Sequence, residues 1–171
     1  MSRNGIESGR FGDIGDRAVS MAVAAGISNT LDLEKIRDNS IKERIYQIGR
    51  DTEERFVNYV FEHHSISFVR TSSHADDIEQ GVDFWIKLNP KYRLPLLPVQ
   101  VKSSRRDVKK FINNDPKYSK AREAILVLNC GPSVTKQKLL KELEDEIKRV
   151  REIFMTNPHH EYIVPMTDQH E

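Results

Sequence analysis

The sequence predicts an α/β fold, a mixed sheet with helices on both sides. Three observations predict it. Apolar positions at three- and four-residue steps alternate with short β-rich runs along one chain. The order reads helix, strand, strand, strand, helix, strand, helix, with helical segments in front. One run, Ala124-Ile125-Leu126-Val127-Leu128, is apolar throughout, as a strand covered on both faces would be.

Residues 1–15 are polar and rich in glycine (Gly5, Gly9, Gly12, Gly15) and read as a loose lead-in. No apolar strand precedes these glycines, so they do not form a dinucleotide fingerprint. Asp16 can cap a short helix over 16–25, with Ala18, Val19, Ala22 and Val23 on one face and Gly26 at its end. A second short helix is expected over 30–38. A third, over 40–63, carries Ile41, Ile45, Ile48, Thr52, Phe56 and Tyr59 on one stripe.

Ile66-Ser67-Phe68-Val69 reads as a strand, 71–80 as a polar loop, and Val82-Asp83-Phe84-Trp85-Ile86 as a second strand. Asn89-Pro90-Lys91 makes a turn. Leu96 to Val101 is a third strand, whose Pro98 suggests an edge or an entry kink. Ser104-Arg105-Arg106-Asp107 forms a capping box, followed by a helix with Val108, Phe111 and Ile112 on one side. Asn113 to Lys120 reads as a loop. The 124–128 strand stops at Gly131-Pro132. Ser133 opens a last helix bearing Leu139, Leu143, Ile147, Val150 and Phe154. Tyr162-Ile163-Val164 is a candidate short strand. The expected organisation is an N-terminal helical extension (1–39), a core domain (40–156) and a tail (157–171).

At 171 residues, with 37% apolar and 31% charged side chains, the chain suits one ordinary core. No apolar run reaches the length of a membrane span, so no membrane partner is expected. The amino terminus lacks the apolar segment of a secretory signal. A single cysteine, Cys130, can form neither an internal disulfide nor a cysteine-based zinc site, so an intracellular setting is expected. The formal net charge is +1, which leaves nucleic-acid binding to local distribution.

That distribution is uneven. Residues 102–122 hold Lys102, Arg105, Arg106, Lys109, Lys110, Lys117, Lys120 and Arg122 against only Asp107 and Asp115. A phosphate backbone binds such a surface through counterion release. Ser103 and Ser104, at a helix amino end, could add phosphate contacts. A solvated basic helix face is the plainer alternative. Arg70, Lys87, Lys91 and Arg93 could extend the patch. Adjacent histidines at 63–64 and 159–160 point about 100° apart on a helix and make poor chelating pairs.

Gln100 and Lys102 are two apart on a strand and share one face, with Val101 on the other. Such a polar pair is costly unless it meets partners. Asp83, on the neighbouring strand of an expected hairpin, is the natural partner. A carboxylate, an amide oxygen and an ammonium would then converge, and oxygen donors of this kind suit a hard divalent cation. Each residue alone has a simpler reading as an exposed strand or helix residue. Asp76 and Asp77 compete with Asp83 for the role.

Gly81-Val82-Asp83-x-x-Ile86 followed by Pro98-Val99-Gln100-Val101-Lys102-Ser103-Ser104 resembles the PD-(D/E)XK nuclease superfamily in its Asp…Gln-x-Lys variant. The likeness is closest to Mrr-like restriction endonucleases and Holliday-junction-resolvase-like domains, and covers roughly residues 45–154. The resemblance implies a restriction-endonuclease-like αβββαβ core and a Mg²⁺- or Mn²⁺-dependent nuclease acting on DNA, with RNA left open. It implies that Asp83, Gln100 and Glu54 hold metal and that Lys102 is catalytic; the Val101 carbonyl can add a ligand, and the basic cluster gives Ser103, Ser104, Arg105, Arg106, Lys109 and Lys110 as the residues expected to meet nucleic acid. Glu54 matches the glutamate of the superfamily's first helix, with Glu53 as its competitor. Gln100 stands where most members carry an acid, and Val82 replaces the usual proline before the aspartate. Two alternatives stay open: a nuclease fold that binds DNA with a decayed metal site, and a junction resolvase, which would need a symmetric homodimer.

Overall fold

The computed structural model describes residues 4–114, 123–157, 159–160 and 163–166. The chain forms two compact units, 1–50 and 51–171. The division falls inside a helix, not at the expected boundary after residue 39.

The first unit is helical. α1 spans Asn4–Ala24, so the expected glycine-rich lead-in is helix from residue 4 onward. Glycine weakens a helix, but Gly15 has a packing reason. A Cβ there would lie 2.5 Å from Arg37 Cγ. α2 runs unbroken over Thr30–Val60 and replaces the two helices expected at 30–38 and 40–63. Its start is capped by Asn29, whose Oδ1 accepts from the Leu31 amide at 2.9 Å. No proline or glycine interrupts Asn39-Ser40, so nothing there forces a break.

The second unit is α/β. The last turns of α2 lead to β1 (Ile66–Thr71), β2 (Phe84–Leu88) and β3 (Leu97–Lys102). α3 (Arg105–Asn114), β4 (Leu126–Asn129) and α4 (Lys136–Thr156) follow. The sheet order is β1-β2-β3-β4. The first three strands are antiparallel, and β4 runs parallel to β3 after the α3 crossover. The mixed sheet with flanking helices agrees with the α/β class read from the sequence.

Strand alternation divides the core. Phe84 and Ile86 of β2, Val99 and Val101 of β3, and Leu126 and Leu128 of β4 face one side. There they pack on Phe56 and Val60 of α2 and on the Leu139, Leu143, Ile147 and Val150 stripe of α4. On the other face Ile125 and Val127 pack against Val108 and Phe111 of α3. β4 is therefore covered on both sides, as its unbroken apolar run requires.

The outer edge of β4 is closed by side chains of α4. Glu146 accepts from the Val127 amide and Glu142 from the Asn129 amide, while Arg149 donates to the carbonyls of Glu123 and Ile125. Backbone groups that a further strand would satisfy are satisfied here by a helix.

The expected polar loop at 71–80 contains a helical turn, Asp76–Gln80, closed by Gly81 in a left-handed conformation. Residues 163–166 form no strand. Ile163 instead packs on the α3 side of the sheet, and Tyr162 lies outside the described residues. Among the described residues no helix is long and apolar enough to cross a membrane.

Candidate metal and nucleic-acid site

The site lies where β2 parts from β3. The register Phe84↔Val99 places Asp83 opposite Gln100, on the α3 side of the sheet. The Asp83 amide donates to the Val99 carbonyl at 2.8 Å, and its carbonyl accepts from the Ser72 amide at 3.0 Å. The residue is thus fixed by both neighbouring strands. Beyond it the chain turns away, leaving the Val101 amide without a strand partner. The Asp83 carboxylate takes that place, with Oδ2 accepting from Val101 N at 2.7 Å.

Gln100 is buried, and its Nε2 donates to Asp83 Oδ2 at 2.5 Å and reaches the Val101 carbonyl at 3.4 Å. One amide group therefore sits between a carboxylate oxygen and a main-chain oxygen. Lys102, at the end of β3, shares the face of Gln100. Its Nζ lies 4.9 Å from the centroid of the Phe111 ring, a cation–π contact that holds the ammonium on this side of the sheet. Three of the residues singled out from the sequence, Asp83, Gln100 and Lys102, are thus brought together.

Burial is the main influence on Asp83 and pushes its pKa up to about 7. The Val101 hydrogen bond and the Lys102 charge oppose that rise, while Glu53 and Asp77 add to it. The α2 carboxylate that acts on Asp83 is thus Glu53, one position before the Glu54 favoured from the sequence. Glu54 is exposed. Neighbouring helix positions differ by about 100°, so the choice between them depends on how α2 is rotated.

The donor set suits a hard cation in kind: a carboxylate, an amide and a main-chain carbonyl. The two ends of the Gln100 amide exchange by rotation about one torsion, so its oxygen can take the position now held by nitrogen. Among the described residues, no three His, Cys, Asp or Glu side chains gather as a metal site. Any such site here would have to use the amide and the carbonyl.

Downstream, Ser104 caps α3. Its hydroxyl accepts from the Asp107 amide at 3.2 Å and lies 2.6 Å from Asp107 Oδ2, while Ser103 Oγ lies 3.5 Å from the same oxygen. Ser104 makes its half of the expected capping box, while the Asp107 carboxylate engages both hydroxyls. That arrangement weakens their case as phosphate ligands. Arg105, Arg106, Lys109 and Lys110 are exposed along α3, with Arg105 paired to Glu142 at 3.2 Å. Lys117, Lys120 and Arg122 lie outside the described residues.

Three buried groups serve the fold. Asp76, only 1% exposed, accepts from Gln80 Nε2, Trp85 Nε1, Ser73 N and Met166 N. Burial would raise its pKa, yet these hydrogen bonds outweigh burial and hold it below the usual value. Sequence reasoning placed it in a loop. The signal was Ser73-x-x-Asp76, a reciprocal cap in which the Asp76 amide donates to Ser73 Oγ at 3.1 Å. Cys130 is buried, and burial pushes its thiol up to about 12, so it stays protonated. His63 is buried against Glu144 at 3.4 Å, a packing role. Compared with protein-family models, curated proteins and solved structures, the chain matches none.

Proposed function

We propose that this chain is a metal-dependent nuclease that hydrolyses DNA phosphodiester bonds on a restriction-endonuclease-like core. One observation carries the reading. The Gln100 amide joins the Asp83 carboxylate to the Val101 carbonyl on the sheet face from which Lys102 also projects. The order of the elements from α2 to β4, with β4 parallel to β3, supports the αβββαβ assignment.

In this reading Asp83, Gln100 and the Val101 carbonyl hold Mg²⁺ or Mn²⁺, with Glu53 favoured over Glu54 as the further acid. A bound divalent cation lowers the pKa of a water and offsets phosphate charge. The protein's own groups do the rest. Asp83 must be ionised to act as a ligand, and its pKa near 7 makes that step pH-dependent. The Lys102 ammonium, held against Phe111, orients the attacking water and stabilises negative charge on the phosphoryl oxygens. Arg106, Lys109 and Lys110 bind the backbone without reading sequence.

The test is incubation with supercoiled, linear, single-stranded and branched DNA, with and without Mn²⁺. Wild type should cut only with metal. Lys102→Ala should bind DNA nearly as wild type does and not cut it. Cleavage by that variant at the wild-type rate overturns the assignment.

One observation favours a second reading, a DNA-binding module with a decayed metal site. The Gln100 amide already satisfies Asp83 Oδ2 without a cation. Calorimetric titration with Mn²⁺ separates the two. Absent binding, unchanged in Asp83→Asn, favours decay.

A further inference from the structure

A second feature lies on the same face of the sheet, away from α3. The β1–β2 register slips between Ile66 and Phe68, so that Ile66 pairs with Leu88 and Phe68 with Lys87. This bulge changes which way β1 side chains point. Ile66 and Val69 both pack on the α2–α4 core. Phe68 and Arg70 consequently turn to the opposite face, the one that carries Asp83, Gln100 and Lys102. Without the bulge, Phe68 would follow Ile66 inward, by strand alternation. Instead it is 48% exposed. It borders an open groove whose other walls include Arg70, Lys87, Pro90, Leu94 and Leu96.

The chain that supplies most of this groove carries charge of one sign. Residues 84–106 contain Lys87, Lys91, Arg93, Lys102, Arg105 and Arg106 and no aspartate or glutamate. Lys87 is the cross-strand partner of Phe68. Arg70, two residues along β1, pairs with Trp85. Trp85 is fully buried, with its indole nitrogen bonded to Asp76, so Arg70 is the exposed member of that pair. Lys87 lies four residues from Asp83 along β2, or about 13 Å at the rise of a strand. Arg70 lies between them in the register.

We propose that this groove binds an unpaired stretch of nucleic acid, with a base stacked on Phe68 and the flanking phosphates on Arg70 and Lys87. An exposed ring offers stacking to any base, and the two neighbouring cations, one across the strand pair and one along β1, match a phosphate backbone. A base within a duplex is already stacked and cannot lie flat on Phe68. The proposal rests on the nuclease reading only for the identity of the polymer. It makes that reading's substrate one with a single-stranded segment beside the cleaved bond.

The test is fluorescence anisotropy of a labelled twelve-residue oligothymidine and of a duplex of the same length, in EDTA. Wild type should bind the single strand more tightly. Phe68→Ala should weaken that binding about 5- to 100-fold and leave duplex binding unchanged, while Phe68→Tyr restores it. Arg70→Gln and Lys87→Gln should each lower the salt slope of single-strand binding by about 0.7. Circular dichroism melting verifies that the variants fold. Equal affinity of Phe68→Ala and wild type for the single strand overturns the proposal, as does equal loss on duplex. A wild-type dimer that Phe68→Ala dissociates on a sizing column also overturns it, because the groove would then seat a second copy. No metal is present in these measurements. Failure to cleave DNA with Mn²⁺ would therefore sink the nuclease reading while leaving the groove to be judged by anisotropy.

Discussion

Asp76 and Asp83 stand seven residues apart, and the fold treats them in opposite ways. Asp76 is deeper, yet four donors converge on its two oxygens. Asp83 is half-buried, yet its donors share Oδ2 and two other carboxylates press on it. The first is held below the usual carboxylate range, and the second is raised to about 7. Burial raises both carboxyls, but the hydrogen bonds outweigh it at Asp76 and do not at Asp83. Asp76 is built to tie the Trp85 indole and the 164–166 segment together. Asp83 has both its donors on Oδ2 and a neutral form near pH 7, which the proposed metal site would draw on.

The contrast breaks most visibly in activity. Asp83→Asn should lower Mn²⁺-dependent cleavage by about 1000-fold or more, a size typical of losing a group that acts on the reacting charge. Asp76→Ala should leave Mn²⁺ binding by the folded protein intact. Cleavage kinetics on both variants at a temperature where each is folded would show it. An equal activity loss in the two would erase the distinction.

Stability should reverse the order. Asp76→Ala leaves Trp85 Nε1, the Met166 amide and the Ser73 amide without their acceptor, at a cost of about 3 kcal/mol. For a unit of this size that corresponds to a melting temperature lower by about 10 °C. Asp83→Asn should behave differently with pH. A raised pKa means that folding disfavours the charged form. The wild type therefore loses stability as pH rises from about 4, and the loss is complete above about 7. Thermal melts should show Asp83→Asn more stable than wild type at pH 8 and equal to it at pH 4. Asp76 has the opposite sign. Its contribution is present above the unfolded value near 4 and disappears as pH falls through its lower folded value.

A smaller effect sharpens the cation reading. Ligation requires the ionised carboxylate, so Mn²⁺ affinity should fall about tenfold per unit below pH 7 and level off above it. Calorimetry in buffers of different ionisation enthalpy should register a proton released on binding near pH 6. The smallest effect concerns the acids of α2. Glu53→Gln should lower the Asp83 pKa, measured by carboxyl carbon NMR, and more than Glu54→Gln does. The reverse ranking would return Glu54 to the site.

Much of the second unit could be read from residue order. The β-rich runs, the apolar 124–128 segment and the Ser104 cap depend on local chemistry, and the fold keeps them. Asp83, Gln100 and Lys102 could be found because strand alternation fixes which residues share a face. Features that depend on distant packing were not legible. The first glycines gave no sign of helix, since the close approach that explains Gly15 involves Arg37, twenty-two residues away. Glu53 and Glu54 are adjacent on a helix, and only its rotation against the sheet separates them. Phe68 looked like an ordinary strand residue, because the slip after Ile66 arises from pairing with β2.

The edge of β4 has a consequence for the protein in crowded solution. With Glu142, Glu146 and Arg149 already bonded to its backbone, a strand from another molecule would have to expel three charged side chains to attach there. Addition of a strand from another copy is therefore disfavoured on that flank.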